Sequence, residues 1–217
     1  MINIAIDGPS GAGKSTIADL LAERLGYTHL DTGAMYRAVG YCAVQHSVNQ
    51  DSEEDLMNMI HRMDLVITRN NEVFLDGEDI SSKIRENEIS MAASNVSRHA
   101  LVREAMVALQ QRISSEGGYI LDGRDIGTVV LKDAKVKIYL TASAEERANR
   151  RVKQNKENGI ESDYQQILRD IIARDKQDME RENSPLRKAE DAIEIDSSFL
   201  SISEVVDKVL AIVEERS

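Results

Sequence analysis

Gly8-Pro9-Ser10-Gly11-Ala12-Gly13-Lys14-Ser15, continued by Thr16 and Ile17, decides the fold. Ahead of it, Ile2 to Ile6 is a short apolar run with the character of a buried strand. After it, Ile17, Leu20, Leu21 and Leu25 fall on one side of a helix. Strand, glycine-rich turn and helix start, with the spacing G-x-x-x-x-G-K-S, make a P-loop. Glycines let backbone N–H groups curl around phosphate oxygens, and the helix N-terminus adds partial positive charge. Lys14 reaches toward β- and γ-phosphates, and the Ser15 hydroxyl is a ligand for Mg²⁺. The bland alternative is a glycine-rich turn before a helix. The stretch implies a bound nucleoside triphosphate and leaves open what becomes of the γ-phosphate.

Working outward, strands alternate with helices. Tyr27 to Leu30 reads as a second strand ending in Asp31-Thr32-Gly33, and a helix runs from about Ala34 to His46. Ser52-Glu53-Glu54-Asp55 starts another, with Ser52 as N-cap and acids in the first turn. Between Asp64 and Ile80 the pattern changes to short strands with Asn70-Asn71 and Asp76-Gly77 as turns, which predicts a small antiparallel insert. Residues 85–114 are helical, broken near Ser97-Arg98-His99. Tyr119 to Leu121 and Val136 to Leu140 are buried strands. Ser143 to Glu146 and Ser162 to Gln165 read as capping boxes. The first opens a helix with Arg147, Arg150 and Arg151 on one face. The second opens a helix with Tyr164, Ile167, Leu168, Ile171 and Ile172 inward, and with Arg174, Asp178 and Arg181 sharing a face. Between them Lys153 to Ser162 reads as a mobile polar segment. Ala192 to Asp196 is the last strand. Such alternation predicts an α/β fold, a parallel sheet covered on both faces, with its ligand at the strands' carboxyl ends. Asp31, Asp122 and Asp125 lie just past strand ends.

The chain has 217 residues, 41% hydrophobic and 30% charged, enough for a folded core and too apolar for disorder. A net charge of −11 argues against nucleic acid as a partner. No apolar run is long enough to span a membrane and no leader pattern opens the chain, so a cytoplasmic location is expected. The single cysteine, Cys42, forms no intrachain disulfide and reads as a small buried residue inside a helix. His29, His46, His61 and His99 lack metal-ligand spacing and read as surface or core.

No glycine has an aspartate three residues before it, and Asn155-Lys156-Glu157-Asn158 lacks the final acid of a guanine-reading N-K-x-D. A GTPase is therefore disfavoured. The surplus of arginine near strand ends points instead to a small kinase that holds several phosphates and excludes water. Four blocks carry a closer likeness: Asp7 to Ser15, Leu30-Asp31-Thr32-Gly33-Ala34-Met35-Tyr36-Arg37, Asp122-Gly123-Arg124-Asp125-Ile126-Gly127-Thr128-Val129-Val130, and Ser184-Pro185-Leu186. Together they resemble bacterial cytidylate (CMP/dCMP) kinases from the first strand to the final helix. The second and third blocks are the specific ones.

That resemblance implies a single P-loop nucleoside monophosphate kinase domain over 1–217. It divides into a core (about 1–50, 86–150 and 163–217), a monophosphate-binding insert (about 51–85) and a helical lid (about 151–162). It implies ATP as donor, Mg²⁺, CMP and dCMP as acceptors, and a monomer. Gly8, Pro9, Ser10, Gly11, Ala12, Gly13, Lys14, Ser15 and Thr16 would hold ATP, with Arg147 and Arg150 over its phosphates and Ser15 on the metal. Thr32, Arg37, Arg124 and Arg181 would hold the acceptor phosphate. Ser94, Arg103 and Asp125 would read cytosine, and Arg174 and Asp178 the sugar. Lys14, Arg124, Arg151 and Arg181 would act on the transferring group, and Asp122 would orient metal-bound water. The alternatives are a kinase for UMP or a small metabolite, and a regulator that binds nucleotide without turnover. On the blander reading the lid arginines are a solvated face, and Arg174, Asp178 and Arg181 are helix salt bridges.

Overall fold

The computed structural model describes residues 1–157 and 159–216. The first strand, β1 (Ile4–Asp7), has all four residues buried. It therefore belongs in the middle of a sheet covered on both faces. It pairs in parallel with β6 (Tyr119–Gly123) on one side and β7 (Val136–Thr141) on the other. β2 (Thr28–Asp31) adds outside β6 and β8 (Ile193–Asp196) outside β7, giving the order β2-β6-β1-β7-β8. The expected parallel sheet is present.

Helix α1 (Lys14–Leu25) follows the P-loop and buries Ile17, Ala18 and Leu21 against β1, β6 and α8 (Ile202–Arg216). Asp31 caps α2 (Thr32–Gln45) by accepting from Ala34 N at 3.0 Å. Cys42 is buried on α2, as expected. α3 (Glu53–Ile60) is capped by Ser52, whose hydroxyl accepts from Asp55 N. The antiparallel insert is β3 (Leu65–Ile67), β4 (Val73–Leu75) and β5 (Glu78–Asp79). Ile80, just past β5, turns into the core and is fully buried. α4 (Asn87–Val96) and α5 (Ala100–Ile113) break at the expected place. α2 and α4 touch so closely that a Cβ on Gly40 would lie 2.7 Å from Ala93 N.

α6 (Ala144–Glu157) and α7 (Tyr164–Glu180) pack as a helical pair. Four expectations change here. Residues 153–157, read as mobile, are the last turn and more of α6. Asn158, in the same segment, lies outside the described residues. The N-cap of α7 is Asp163 rather than Ser162, its carboxylate accepting from Gln165 N. Ile172, expected inward, is 53% exposed. At the start of α6 only half of the capping box closes: Glu146 N reaches Ser143 Oγ, while the Glu146 carboxylate accepts from Arg150. The full box forms at α8, where Ser201 and Glu204 bond reciprocally. No described helix is long and apolar enough to cross a membrane.

Candidate active site

The P-loop begins where β1 ends. At Gly8 (φ 150°) a Cβ would sit 1.9 Å from Leu140 O, so only glycine lets the loop pass over β7. The loop delivers Lys14 into a buried position, its ammonium donating to Pro9 O at 2.9 Å. Burial and the nearby Arg124 charge pull that ammonium down to about 7, against the pull of Asp122, Asp7 and Asp178. Next along α1, Ser15 Oγ donates to Asp122 Oδ2 at 2.9 Å. This leaves the lone pairs of the hydroxyl free. The other Asp122 oxygen accepts from His29 Nε2 at 2.8 Å, and Thr32 Oγ1 donates to Asp122 O. Burial raises the Asp122 carboxyl, but His29, Lys14 and Ser15 outweigh it and hold it below its ordinary value. Burial likewise opposes charge on the His29 ring. Hydrogen bonds and charge from Asp122 and Asp19 win, pushing it up to about 9.

Arg147 and Arg150 approach the P-loop from behind. Arg147 donates through Nη1 to Ser10 O (2.9 Å) and to Asp175 Oδ1 on α7 (3.0 Å), and through Nη2 to Asp175 Oδ2. Arg150 donates to Ala12 O and to Ser197, whose hydroxyl also reaches Ala12 O. These two arginines buttress the loop backbone and bind α7 to it. Arg147→Met keeps much of the side-chain volume but strips Asp175 of a buried partner, a loss of ~3–5 kcal/mol. At ~2–4 °C per kcal/mol the expected fall in melting temperature is roughly 10 °C. An unchanged melting curve would show that the pair adds nothing to the loop's seat.

Across the carboxyl edge of the sheet lies a second group. Arg124 Nε donates to Asp178 Oδ2 at 2.8 Å, and Arg37 Nη2 donates to Asp31 Oδ2 at 2.7 Å. Burial, with the positive charges of Arg124, Arg37 and Arg151 outweighing the Asp178 carboxylate, lowers Arg174 to about 10. The Nε atoms of Arg37 and Arg174, and Nη2 of Arg181, are buried and make no hydrogen bond among the described residues. Several guanidinium groups thus converge with donors to spare, which suits a multiply charged anion. Beside them Arg103 Nη2 donates to Asp125 Oδ2, and Arg181 Nη2 lies 3.9 Å from Asp125 Oδ1. Asp125 precedes a single π-helical turn, Ile126–Val130, whose first amides, Ile126 N and Gly127 N, both donate to the buried Asp7 carboxylate at 2.7 Å. Burial raises Asp7 to about 6 despite those two bonds. Ser94, Arg98, Asp178, Arg181 and Asn183 help to line an open cleft of about 510 Å³.

The family model for cytidylate kinase matches residues 4–215. The chain belongs to the cytidylate kinase family. A cytidylate kinase of Bacillus subtilis (strain 168) is 50% identical over 219 residues, covering all of this chain and 98% of that protein. One from Caldicellulosiruptor bescii is 53% identical over 212 residues, covering 96% and 94%. In fold alone, the chain is similar to a shikimate kinase from Bacteroides thetaiotaomicron, with TM-score 0.50 and 12% identity over 98% of each chain.

Within this family member, the structure brings Lys14, Ser15, Thr32, Arg37, Arg103, Arg124, Asp125, Arg174, Asp178 and Arg181 to one edge of the sheet. Ser94 lines the cleft, its hydroxyl turned to Ser90 O. Arg151 stands apart: it is exposed and donates to Gln154 on its own helix. Asp7, Asp19, His29, Asn71, Asp175 and Ser197 hold the site's framework and were not singled out from sequence. Asp7 alone carried a signal, as an acid ending the strand that feeds the P-loop. Among the described residues no group of three or more His, Cys, Asp or Glu could hold a metal. Mg²⁺ keeps most of its waters and leans on substrate phosphates; the Ser15 hydroxyl, whose proton goes to Asp122, would offer it a protein oxygen.

Proposed function

We infer that the chain transfers the γ-phosphoryl group of ATP to CMP or dCMP, giving ADP and CDP or dCDP. The observation that carries this reading is the set of buried guanidinium N–H groups on Arg37, Arg174 and Arg181 that make no hydrogen bond among the described residues. ATP lies along Gly8 to Thr16, with its γ-phosphate at Lys14. The acceptor phosphate lies among Thr32, Arg37, Arg124 and Arg181, and Arg174 with Asp178 holds its sugar. Ser94, Arg103 and Asp125 face the base. The attacking phosphate oxygen is already anionic, so no general base is required. Catalysis is alignment of the two nucleotides plus charge stabilisation by Lys14 and the arginines. Mg²⁺, when bound at Ser15, supplies neutralising charge on the donor phosphates. Arg151, on the outer part of α6, joins the transferring phosphate only after inward movement of the segment 151–162, which acts as a lid.

The chain works as one domain of core, insert (about 51–85) and lid, a cytoplasmic monomer without nucleic-acid or membrane partners. The test is ADP release with ATP and Mg²⁺ across CMP, dCMP, UMP, AMP and GMP. CMP and dCMP are expected to lead by at least ~10² in kcat/KM, the scale set by unpaired buried polar groups against the wrong base. Turnover of UMP or another monophosphate but not CMP would overturn the assignment. Nucleotide binding without any ADP release would leave the regulator reading.

A further inference from the structure

His29 sits on β2 with its ring buried, and nothing in the transfer chemistry uses it. Its two nitrogens have different neighbours. Nε2 donates to Asp122 Oδ1 at 2.8 Å. Nδ1 lies 2.6 Å from Asp19 Oδ1 on α1 and 3.1 Å from the Asn71 amide, in the turn between β3 and β4. Asn71 Oδ1 in turn accepts from Asp31 N. The ring therefore joins three separate pieces of chain: α1, the insert turn and the end of β6.

The Asp122 carboxylate is buried, and its two oxygens have separate tasks. Oδ2 takes the Ser15 hydroxyl proton at 2.9 Å. A single hydroxyl donor leaves a carboxylate free to turn about its own bond. A second donor on Oδ1, held by a ring whose other nitrogen is tied to Asp19, fixes the plane. With that plane fixed, the Ser15 O–H points at Asp122 and the oxygen lone pairs face away from it. We propose that His29 is a positioning residue for the cation at the donor phosphates, acting through Asp122 on the Ser15 hydroxyl. This rests on the reading of Ser15 as the Mg²⁺ ligand. Partners one shell out from a metal ligand commonly change metal affinity by ~10–100-fold.

The test uses His29→Leu, His29→Gln and His29→Asn in the full chain, with Ser15→Ala alongside. A Gln amide nitrogen falls near the place of Nε2 and keeps a donor for Asp122. An Asn amide falls near Nδ1 and keeps only the side facing Asp19 and Asn71. Two quantities are read: the Mg²⁺ concentration at half-maximal rate, and the tightening of ATP binding when Mg²⁺ replaces EDTA in calorimetry. His29→Leu is expected to raise the first by about 10-fold and to lose most of the second. KM for CMP and ATP affinity in EDTA are expected to stay within about twofold, because the ring touches neither nucleotide site. His29→Gln is expected to recover most of both quantities and His29→Asn neither. Should His29→Leu not fold, the Gln and Asn pair decides.

Equal behaviour of Gln and Asn would overturn the proposal, since the ring would then act through α1 and the insert. A parent-like Mg²⁺ response in His29→Leu, with the response lost in Ser15→Ala, overturns it too and leaves the Mg²⁺ reading standing. A parent-like response in Ser15→Ala removes that reading and the inference with it.

Discussion

Lys14→Ala is expected to fold normally and to turn over CMP at least ~10²–10³-fold more slowly, the usual loss when one preorganised charged contact to a transition state is removed. The reason lies in where the P-loop places this side chain. Lys14 is only 6% exposed, so its charge acts in a medium that screens little. Its one protein hydrogen bond is to Pro9 O, and Arg124 works against its charge. A triphosphate restores the full ammonium and is stabilised by it most strongly as charge spreads during transfer. Truncation leaves Pro9 O without a donor and takes one positive charge from buried Asp122 and Asp7. Asp122 keeps His29 and Ser15, and Asp7 keeps the Ile126 and Gly127 amides, so the melting temperature is expected to fall only slightly while kcat collapses. A kcat within tenfold of the parent would remove Lys14 from the mechanism.

Asp125→Asn is expected to lower kcat/KM for CMP by ~10²-fold and to narrow the CMP-to-UMP ratio by a similar factor, on the scale of buried hydrogen bonds left unmade. Cytosine offers an N4 amino donor beside N3 and O2 acceptors. A carboxylate accepts from N4 while an arginine donates to N3 and O2. Uracil reverses both positions. In the structure Arg103 donates to one oxygen of Asp125 and Arg181 lies beyond the other. An Asn there rotates to present either an acceptor or a donor, so the penalty against uracil falls. It also deprives buried Arg103 of its counter-charge, which lowers stability. The ratio of the two efficiencies in one protein sample cancels that loss. An unchanged ratio would place base discrimination elsewhere in the cleft.

Much of the fold was legible because periodicity reports on it directly. The four buried residues of β1, the break before α5 and the Asn71 and Asp76 turns all follow from local pattern. The P-loop was legible from its motif and its flanking strand and helix, whereas Thr32 and Arg124 were legible only through the resemblance carried by the blocks Leu30 to Arg37 and Asp122 to Val130. What escaped depends on partners far apart in the chain. Asp7 carried only the signal of an acid at a strand end, and its role came from the amides of Ile126 and Gly127, which close on it from a distant segment. His29 gave no signal because Asp19, Asn71 and Asp122 come from three unrelated segments. The face shared by Arg147 and Arg150 was visible, but periodicity does not say what a face meets. It meets Ser10 O and Ala12 O rather than open space above the loop. At α7 the cap moved one residue because either Ser162 or Asp163 can serve, and only the turn's geometry chooses.

The strand order has a consequence for the newborn chain. β1 is made long before its partners and stands at the centre of the sheet, with Ile120 and Val136 and the residues after them as its neighbours. At ~5–20 residues per second of synthesis, the strand and its phosphate loop wait on the order of ten seconds or more with both edges open. The apolar clusters around α2 do not wait. One draws its buried residues from Ala34 to Ile89 and another from Met35 to Met106, all from a contiguous stretch. Emergence from the ribosome therefore favours a helical and insert unit that assembles from near contacts. The sheet closes over it late, once Thr141 has arrived, because joining distant segments costs loop entropy that only the finished contacts offset. The phosphate loop is encoded well before the strands that seat it and takes its place only once they arrive.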